Sequence, residues 1–328
     1  MNHTLRIGIL GGGFIAGVHA KALKQIPGID LVAVTDTDEA RAAAFAAEHQ
    51  ISSRFTSFQA MLDAVPIDAA YLCVPPFAHN GEAELAAARG LHLFLEKPIA
   101  LDSAHAGRMV AAIESAGVKS QVGFHYRFRK SVRMLKRLID SGEAGRPTLF
   151  TGRYWTNMDG APWWRDRSRS GGQIFEQIIH LYDLARHFCG DVEAVRGVIR
   201  NLCHEYRADY SIEDTSAGTL EFKSGAVGVI TGSNCAVPVH FFGDFRVVCE
   251  KLTFDYQCAG QNWVTPDSAR LYRGAEEIET IIEDENPYLL ESRDFIEAIR
   301  TGGPTLTPAR AGLESIQLVE AVLADASR

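Results

Sequence analysis

The stretch at residues 5–17, "LRIGILGGGFIAG", decides the fold of the first half of the chain. A short apolar run is followed by three consecutive glycines and then by residues that favour a helix. This order is typical of a β-strand that turns sharply into an α-helix. The spacing Gly11-x-Gly13-x-x-Ala16 fits the dinucleotide fingerprint, in which alanine is tolerated at the third position. Glycine allows the backbone to turn and to approach a pyrophosphate closely, and the helix N-terminus offers unpaired N–H groups to it.

The next strand, "IDLVAVTD" at residues 29–36, supplies the second half of this signal. It ends in Asp36, whose carboxylate can accept hydrogen bonds from an adenosine ribose. Asp36 could also be a simple turn residue, but the strand–turn–helix context favours the ribose role. Asp38 adds a second negative charge and the nearest arginine is Arg41, so a 2′-phosphate would be repelled. The sequence therefore predicts NAD as the cofactor, in preference to NADP.

The rest of the first part alternates short β-rich runs with alanine-rich helical segments. Strands separated by helices of this length indicate right-handed crossovers and a parallel sheet buried on both faces. The alternation ends with a helix in "SAHAGRMVAAIESAG" and a strand in "KSQVGFHY". We therefore predict an α/β Rossmann domain, a doubly wound parallel sheet that binds NAD, over residues 1–123.

The pattern then changes to successive alternating runs, such as "TLFTGRYWTN", "TSAGTLEFKSG" and "FRVVCEKLTFDY", with few helices between them. Such runs predict an α+β domain over residues 124–328 with a large, mostly antiparallel open sheet. We assign it to substrate binding and oligomerisation, with C-terminal helices that can pack back on the first domain. An open sheet face usually finds a partner, so a homo-oligomer, dimer or tetramer, is expected.

Composition narrows the functional class. The net charge of −8 argues against nucleic-acid and anionic-membrane partners and leaves a small-molecule substrate. The longest uncharged run, 225–243, contains glycines, a proline and polar residues that a membrane-spanning helix would not carry. The start lacks the basic leader of a signal peptide, and the six scattered cysteines form no C-x-x-C pair. These features predict a cytoplasmic protein with reduced thiols.

Several motifs in a fixed order carry a resemblance to a known family. They are "GGGFIAGVHAKAL", "VPPFAH", "EKPIAL", "GFHYRF" and "SGGQIFEQIIHLYDLARHFCG", followed by two C-terminal helices. In this order the chain resembles the glucose–fructose oxidoreductase / inositol dehydrogenase (Gfo/Idh/MocA) family over nearly its whole length. The resemblance implies an NAD(P)-dependent dehydrogenase that acts on a secondary hydroxyl of a sugar, cyclitol or related polyol.

The resemblance also implies roles for individual residues. Lys97 would contact the nicotinamide ribose and the reacting hydroxyl, and His180 would be the general acid/base. Pro76 stands where the family's T-P-N-x-x-H motif has asparagine. Glu176 stands where the family most often has aspartate, so the identity of the substrate is open. The residues implied for cofactor binding are Gly11, Gly13, Phe14, Ile15, Asp36, Val74, Pro75, His79, Glu96 and Lys97.

The residue pattern around His180 supports a site independently. With "GGQIFEQIIHLYDLARHF" on a helix at about 100° per residue, Glu176, His180 and Asp183 share one side. A polar stripe facing solvent would also explain this pattern, although such a stripe normally carries lysine and arginine too. A carboxylate one turn away can orient an imidazole, and histidine exchanges protons near neutral pH. Together with the family match this favours catalysis for His180, leaves Glu176 catalytic or structural, and makes Asp183 structural.

Candidate substrate contacts lie in two further segments. Trp163 and Trp164 can stack on sugar rings, and Arg165 and Arg127 can bind hydroxyls. Paired tryptophans are more often core residues, and Arg127 could simply brace the domain junction. No histidine or cysteine spacing matches a metal site, so we predict no metal.

Two other functions fit the same motifs. One is a redox-neutral reaction on a sugar, such as glycoside cleavage or epimerisation, with retained NAD. The other is a non-catalytic nucleotide-binding regulator, against which the presence of both Lys97 and His180 argues.

Overall fold

A computed structural model describes residues 4–157, 160–236, 241–258 and 266–327. The chain divides into two compact units. The first comprises the chain up to His125 together with Asn286–Leu313, and the second comprises Tyr126–Glu285 together with the chain from Glu314 onward. None of the helices in the described residues is both long and apolar enough to cross a membrane.

The first unit contains a six-stranded, entirely parallel sheet with the strand order β3-β2-β1-β4-β5-β6. Its strands are β1 (Leu5–Leu10), β2 (Ile29–Thr35), β3 (Ser53–Phe55), β4 (Ala69–Leu72), β5 (His92–Leu95) and β6 (Ser120–Val122). The helices between them are α1 (Phe14–Leu23), α2 (Glu39–His49), α3 (Phe58–Ala64), α4 (Glu82–Ala88) and α5 (Ser103–Ala116). The predicted doubly wound α/β fold is confirmed, and β3 and α3 are additions that the sequence patterns did not reveal.

The second unit contains an eight-stranded sheet in which only the β10–β7 pair is parallel; its strand order is β14-β13-β12-β11-β7-β10-β9-β8. Its strands are β7 (Pro147–Trp155), β8 (Val192–Arg200), β9 (Thr215–Phe222), β10 (Val227–Ser233), β11 (Phe242–Cys249), β12 (Thr253–Gln257), β13 (Ser268–Arg273) and β14 (Glu276–Ile282). Its helices are α6 (Lys130–Asp140), α7 (Arg167–Ser170) and α8 (Ile179–Cys189). The prediction of a large, mostly antiparallel sheet is confirmed.

Two helices complete the chain, α9 (Pro287–Thr301) and α10 (Ala309–Ala326). Local signals set the bounds of α9: the side chain of Asn286 caps its start, Pro287 occupies the first helical position, and Gly302 ends it in the left-handed conformation. α9 packs in the first unit because Phe295 joins its aromatic core, with ring centroids 5.8 Å from Tyr71 and 5.9 Å from Phe94.

Within the described residues, one face of the eight-stranded sheet is packed and the side chains on its other face stay at least partly exposed. Side chains alternate along β9 between buried and exposed, as an antiparallel sheet with one packed face requires. α8 lies on the packed face, where a Cβ on Gly152 would come within 3.1 Å of the Leu181 side chain. The segment "FRVVCEKLTFDY", expected as one run, forms the antiparallel pair β11 and β12, because the chain reverses at Glu250 and Lys251.

Candidate functional site: a dinucleotide edge and a buried histidine helix

The glycine-rich turn between β1 and α1 has the geometry that its sequence predicts. Gly11 has φ +92°, and a Cβ there would lie 2.5 Å from the carbonyl oxygen of Cys73. Gly13 caps α1 without any side-chain hydrogen bond, and a Cβ there would meet nothing within 4 Å. The first turn of α1 therefore keeps backbone N–H groups and open space for an anionic group. Phe14, at the start of α1, is 83% exposed, and Ile15 is half-buried.

Asp36 directly follows β2 and is held in place by the turn. Its Oδ2 accepts a hydrogen bond from the Gly12 N–H at 2.9 Å, and its Oδ1 accepts one from the Asp38 N–H at 2.9 Å. Arg41 is the cation at this position, with Nε 3.7 Å from Asp36 and a terminal nitrogen 3.1 Å from Asp38. Two carboxylates thus share one guanidinium, a charge balance that suits a ribose with free hydroxyls better than a 2′-phosphate.

His79 provides a test of whether these residues fit NAD. Val74 and Pro75 follow β4 and lead through a short turn of 3₁₀-helix to His79, which is 5% exposed. Within the described residues neither ring nitrogen of His79 has a hydrogen-bond partner. Burial, followed by the neighbouring His105, lowers the pKa of His79 to about 4, so the ring is neutral near pH 7. A buried polar group that lacks a partner among the described residues, at the carboxyl edge of the parallel sheet, fits a bound dinucleotide.

Lys97 lies two residues beyond the end of β5, and the carboxylate before it is buried. Glu96 is 5% exposed; its Oε1 lies 2.6 Å from His19 Nε2, and its Oε2 accepts a hydrogen bond from the Lys97 N–H at 3.1 Å. Gly123 makes room for this carboxylate, since a Cβ there would lie 2.8 Å from Glu96 Oε1. The Glu96 side chain therefore fixes the backbone from which the half-buried Lys97 projects.

The structure adds two residues to this network that sequence reasoning missed. His19 of α1 lies between Glu96 and Glu291 of α9, with its Nδ1 3.9 Å from Glu291 Oε1. Glu291 is fully buried, and neither of its carboxyl oxygens has a hydrogen-bond partner in the described part of the chain. Burial, followed by the charge of Glu96, raises the pKa of Glu291 well above its ordinary value. His19 and Glu291 belong to helices at opposite ends of the chain, so no local spacing in the sequence links the two.

In the second unit, the segment before His180 is not a regular α-helix. Residues Ile174–Ile178 form a π-helical turn, and α8 starts only at Ile179. The extra residue in this turn changes the angle between Glu176 and His180 from the one expected at a constant helical period. His180 and Asp183 are 5% and 1% exposed, so the explanation by a solvent-facing polar stripe is wrong.

The carboxylates near His180 each have a defined contact. Asp183 forms a buried two-point ion pair with Arg127, at 2.7 Å to Nε and 2.6 Å to a terminal nitrogen. This geometry engages the guanidinium within the second unit, which favours a structural role of Arg127 there over contact with a hydroxyl. Glu176 Oε2 accepts a hydrogen bond from the indole N–H of Trp164 at 2.8 Å. His180 itself packs against the ring of Tyr126, with ring centroids 5.5 Å apart.

The tryptophan segment forms a small core of its own. Trp164 is 3% exposed and packs with Tyr210 and Ile212, while Trp163 lies half-buried against them. Arg165 pairs with Asp209 at 3.1 Å. Trp164 thus reaches the candidate site through its N–H group, and the sugar-stacking roles of the two tryptophans stay predictions.

Comparisons with known proteins agree with this geometry. Residues 5–124 match the family model described as an oxidoreductase family with an NAD-binding Rossmann fold, and residues 132–255 match the C-terminal domain of the same family. The chain is 34% identical to the scyllo-inositol 2-dehydrogenase (NAD(+)) of Bacillus subtilis (strain 168), over 71% of this chain and 68% of the relative. It is 28% identical to the myo-inositol 2-dehydrogenase of Thermotoga maritima (strain MSB8), over 96% of this chain and 94% of the relative.

A solved structure shows the same fold. A levoglucosan dehydrogenase in complex with NADH and L-sorbose superposes with a TM-score of 0.89 at 20% identity, covering 99% of this chain and 97% of the other. With the sequence matches and the nucleotide edge around Gly11 and Asp36, this identifies the chain as an NAD-dependent oxidoreductase of the Gfo/Idh/MocA family.

Proposed function

We propose that this protein oxidises a secondary hydroxyl of a cyclitol or related sugar, with NAD as the acceptor. The observation that carries the proposal is the position of Lys97. It follows a strand that ends at the edge where Gly11, Gly13 and Asp36 form the dinucleotide turn, and its neighbour Glu96 is locked by His19. The inositol dehydrogenases among its relatives supply the substrate class.

The chain's own residues would manage the proton of the hydroxyl. Bound NAD would supply the acceptor for the carbon-bound hydrogen and its electron pair. The hydroxyl proton must leave at the same time, and His180 is the proposed base that accepts it. Lys97 would donate a hydrogen bond to the same oxygen and stabilise the charge that develops as the carbonyl forms. Glu176, fixed by Trp164, would orient the substrate near His180.

The test is a panel of inositols and sugars with free NAD, followed by NADH absorbance and by product analysis. We expect net reduction of NAD with at least one cyclitol or sugar, and a loss of about 10²–10⁴-fold in turnover for both Lys97→Met and His180→Asn. Lys223→Met is the matched control, since the Lys223 side chain forms an exposed ion pair with Asp191. Conversion of a sugar without net NADH would overturn the dehydrogenase proposal in favour of redox-neutral chemistry. Full turnover in either variant would overturn the residue roles.

We also propose that the open face of the eight-stranded sheet joins copies of this chain. That face carries the half-buried Trp155 beneath the guanidinium of Arg153, 4.9 Å from the ring centroid, and an ion pair between Arg246 and Asp255. Aromatic and arginine side chains of this kind are enriched in protein interfaces. Sedimentation that shows only monomers at working concentration would contradict this proposal.

A cytoplasmic location is part of the proposal as well. It is supported by the six cysteines, all of which are free thiols.

A further inference from the structure

Two cysteines that are distant in the sequence lie side by side in the second unit. Cys203 is in the loop between β8 and β9, and Cys235 lies two residues beyond the end of β10. Their Sγ atoms and a carboxylate oxygen of Asp214 all lie within 4.8 Å of one another. Cys203 is exposed and Cys235 is half-buried, so reagents in solution can reach the pair. Neither residue belongs to the proposed catalytic or cofactor-binding set.

Asp214 holds Cys203 in this position. Its buried carboxylate accepts hydrogen bonds from the backbone N–H groups of Leu202 at 3.0 Å, Cys203 at 2.6 Å and His204 at 3.1 Å. It also accepts from the hydroxyl of Thr215 at 3.0 Å and lies 3.1 Å from His204 Nδ1. These bonds lower the pKa of Asp214 even though burial acts in the opposite direction. The carboxylate is thus an anchor for the loop, and its lone pairs are already used, which disfavours it as a metal ligand.

The same residue anchors Cys235 from the other side. The backbone carbonyl of Asp214 accepts a hydrogen bond from the Asn234 N–H at 2.8 Å. Ser233 then fixes Cys235, because its hydroxyl accepts from the Cys235 N–H at 3.3 Å and lies 3.5 Å from the Cys235 sulfur. Both backbones that carry the thiols are therefore tied to one buried residue, and the two sulfurs stay near each other without a covalent bond.

We propose that Cys203 and Cys235 form a dithiol site that closes reversibly to an intramolecular disulfide. The oxidant would be a small disulfide such as oxidised glutathione. One cysteine thiolate attacks it, releases one small thiol and forms a mixed disulfide; the second cysteine then displaces the other small thiol. The protein loses two electrons and two protons, and the small disulfide gains both. Because Cys203 is exposed, a reducing thiol can reverse the reaction.

The position of the site gives the disulfide a structural consequence. Glu213 precedes Asp214 and accepts a hydrogen bond from the Ile174 N–H at 2.7 Å, at the start of the π-helical turn. Asn234 precedes Cys235 and accepts from the side chain of Gln173. Glu213 and Asn234 thus both support the turn that carries Glu176. A disulfide between Cys203 and Cys235 would link the two chain segments that contain these supports.

Tryptic mapping of the whole protein tests the proposal directly. The reduced protein is incubated with oxidised glutathione, alkylated and digested without reductant. Trypsin separates Cys203, in the peptide 201–207, from Cys235, in the peptide 224–246. We expect these two peptides to be recovered joined, with a mass about 2 Da below their sum, and to separate on treatment with dithiothreitol. The hydrogen bond between the thiols raises the pKa of Cys203 to about 11, so the joining should be faster at pH 9 than at pH 7.

Variants and a metal arm complete the test. Cys203→Ser and Cys235→Ser should each abolish the joined peptide, whereas Cys258→Ser, at another half-buried thiol, should leave it unchanged. Recovery of only glutathione adducts, or of Cys203 linked between two copies of the chain, would overturn the proposal. Stoichiometric Zn²⁺ retention by the wild type that protects both thiols from glutathione, and that Cys203→Ser abolishes, would overturn it in favour of a metal site.

Discussion

The two candidate catalytic residues lie next to buried networks of different charged groups. Near Lys97 the network consists of carboxylates and a histidine, and near His180 it is a carboxylate–arginine pair. In the first unit, the carboxylate before Lys97 is held by His19, and behind the histidine lies Glu291 without a hydrogen-bond partner among the described residues. In the second unit, the carboxylate one turn after His180 is held by an arginine, with two short bonds. The first network contains Glu291, whose pKa is raised well above its ordinary value by burial and then by the charge of Glu96. The second is a two-point contact between an arginine and a carboxylate.

This difference separates two ways of holding a reactive side chain. The Arg127–Asp183 pair holds its helix through a buried two-point contact between opposite charges. In the His19–Glu96–Glu291 network, the raised pKa of Glu291 makes the contribution of that residue to stability depend on pH. Replacement of Glu291 is therefore expected to change how stability responds to pH.

Breaking the arginine pair should have the largest effect. Asp183→Asn leaves Arg127 buried without its counter-charge, and Asp183 also accepts from the hydroxyl of Ser315 at 3.2 Å. We expect a loss of about 3–5 kcal/mol in the free energy of unfolding, measured by denaturant titration. The control is Asp191→Asn, at the exposed pair with Lys223, which should cost at most about 1 kcal/mol. A loss for Asp183→Asn as small as the control's would show that the pair does not brace the helix.

Glu291→Gln should have a smaller effect that depends on pH. Because the pKa of Glu291 is raised in the folded protein, the folded state keeps a proton that the unfolded state releases above about pH 4.5. Wild-type stability therefore falls as pH rises from about 4.5 toward the folded pKa, and the glutamine variant lacks that fall. As pH rises, the variant should therefore gain stability relative to the wild type by on the order of 1 kcal/mol of unfolding free energy per pH unit.

A matched control exists on the same helix. Glu297 of α9 is exposed, so Glu297→Gln should show no such slope in a series of denaturant titrations between pH 5 and 8. A slope for Glu291→Gln equal to that of the control would mean that Glu291 is ionised when folded, and would remove the contrast between the two networks.

Features of the fold and of the candidate site could be predicted from the sequence where a short segment determines them, and could not where they depend on contacts between distant segments. The turn at Gly11 and the position of Asp36 follow from a strand–glycine–helix order within a few dozen residues, and both could be predicted. Contacts such as His19–Glu96 join segments 77 residues apart, and no periodicity encodes them. The pairing of the Cys203 and Cys235 thiols could not be predicted either, because the spacing of the cysteines in the sequence had argued against a cluster.

Each element that the sequence patterns missed has its own physical reason. β14 is exposed along nearly its whole length, so it carries no alternation of apolar and polar residues. α6 carries four lysine and arginine residues among its eleven, and its start depends on a remote contact, because the carboxylate of Glu283 accepts the N–H groups of Lys130 and Ser131. The π-helical turn before α8 breaks the constant period on which the expected angle between Glu176 and His180 depended.

The smallest effect should come from the hydrogen bond that fixes Glu176. Trp164→Phe removes the indole N–H at 2.8 Å but keeps an aromatic ring in the cluster with Tyr210, so we expect a loss of about tenfold or less in kcat/KM for the cyclitol or sugar substrate. The KM for NAD should not change. Tyr206→Phe, at an aromatic side chain that is 81% exposed, is the control and should leave kcat/KM near the wild-type value. A double-mutant cycle decides the reason: in a Glu176→Gln background the Trp164→Phe loss should shrink, because the charged acceptor is gone. An undiminished loss in that background would mean that Trp164 acts through packing, and that Glu176 is not held in place by this bond.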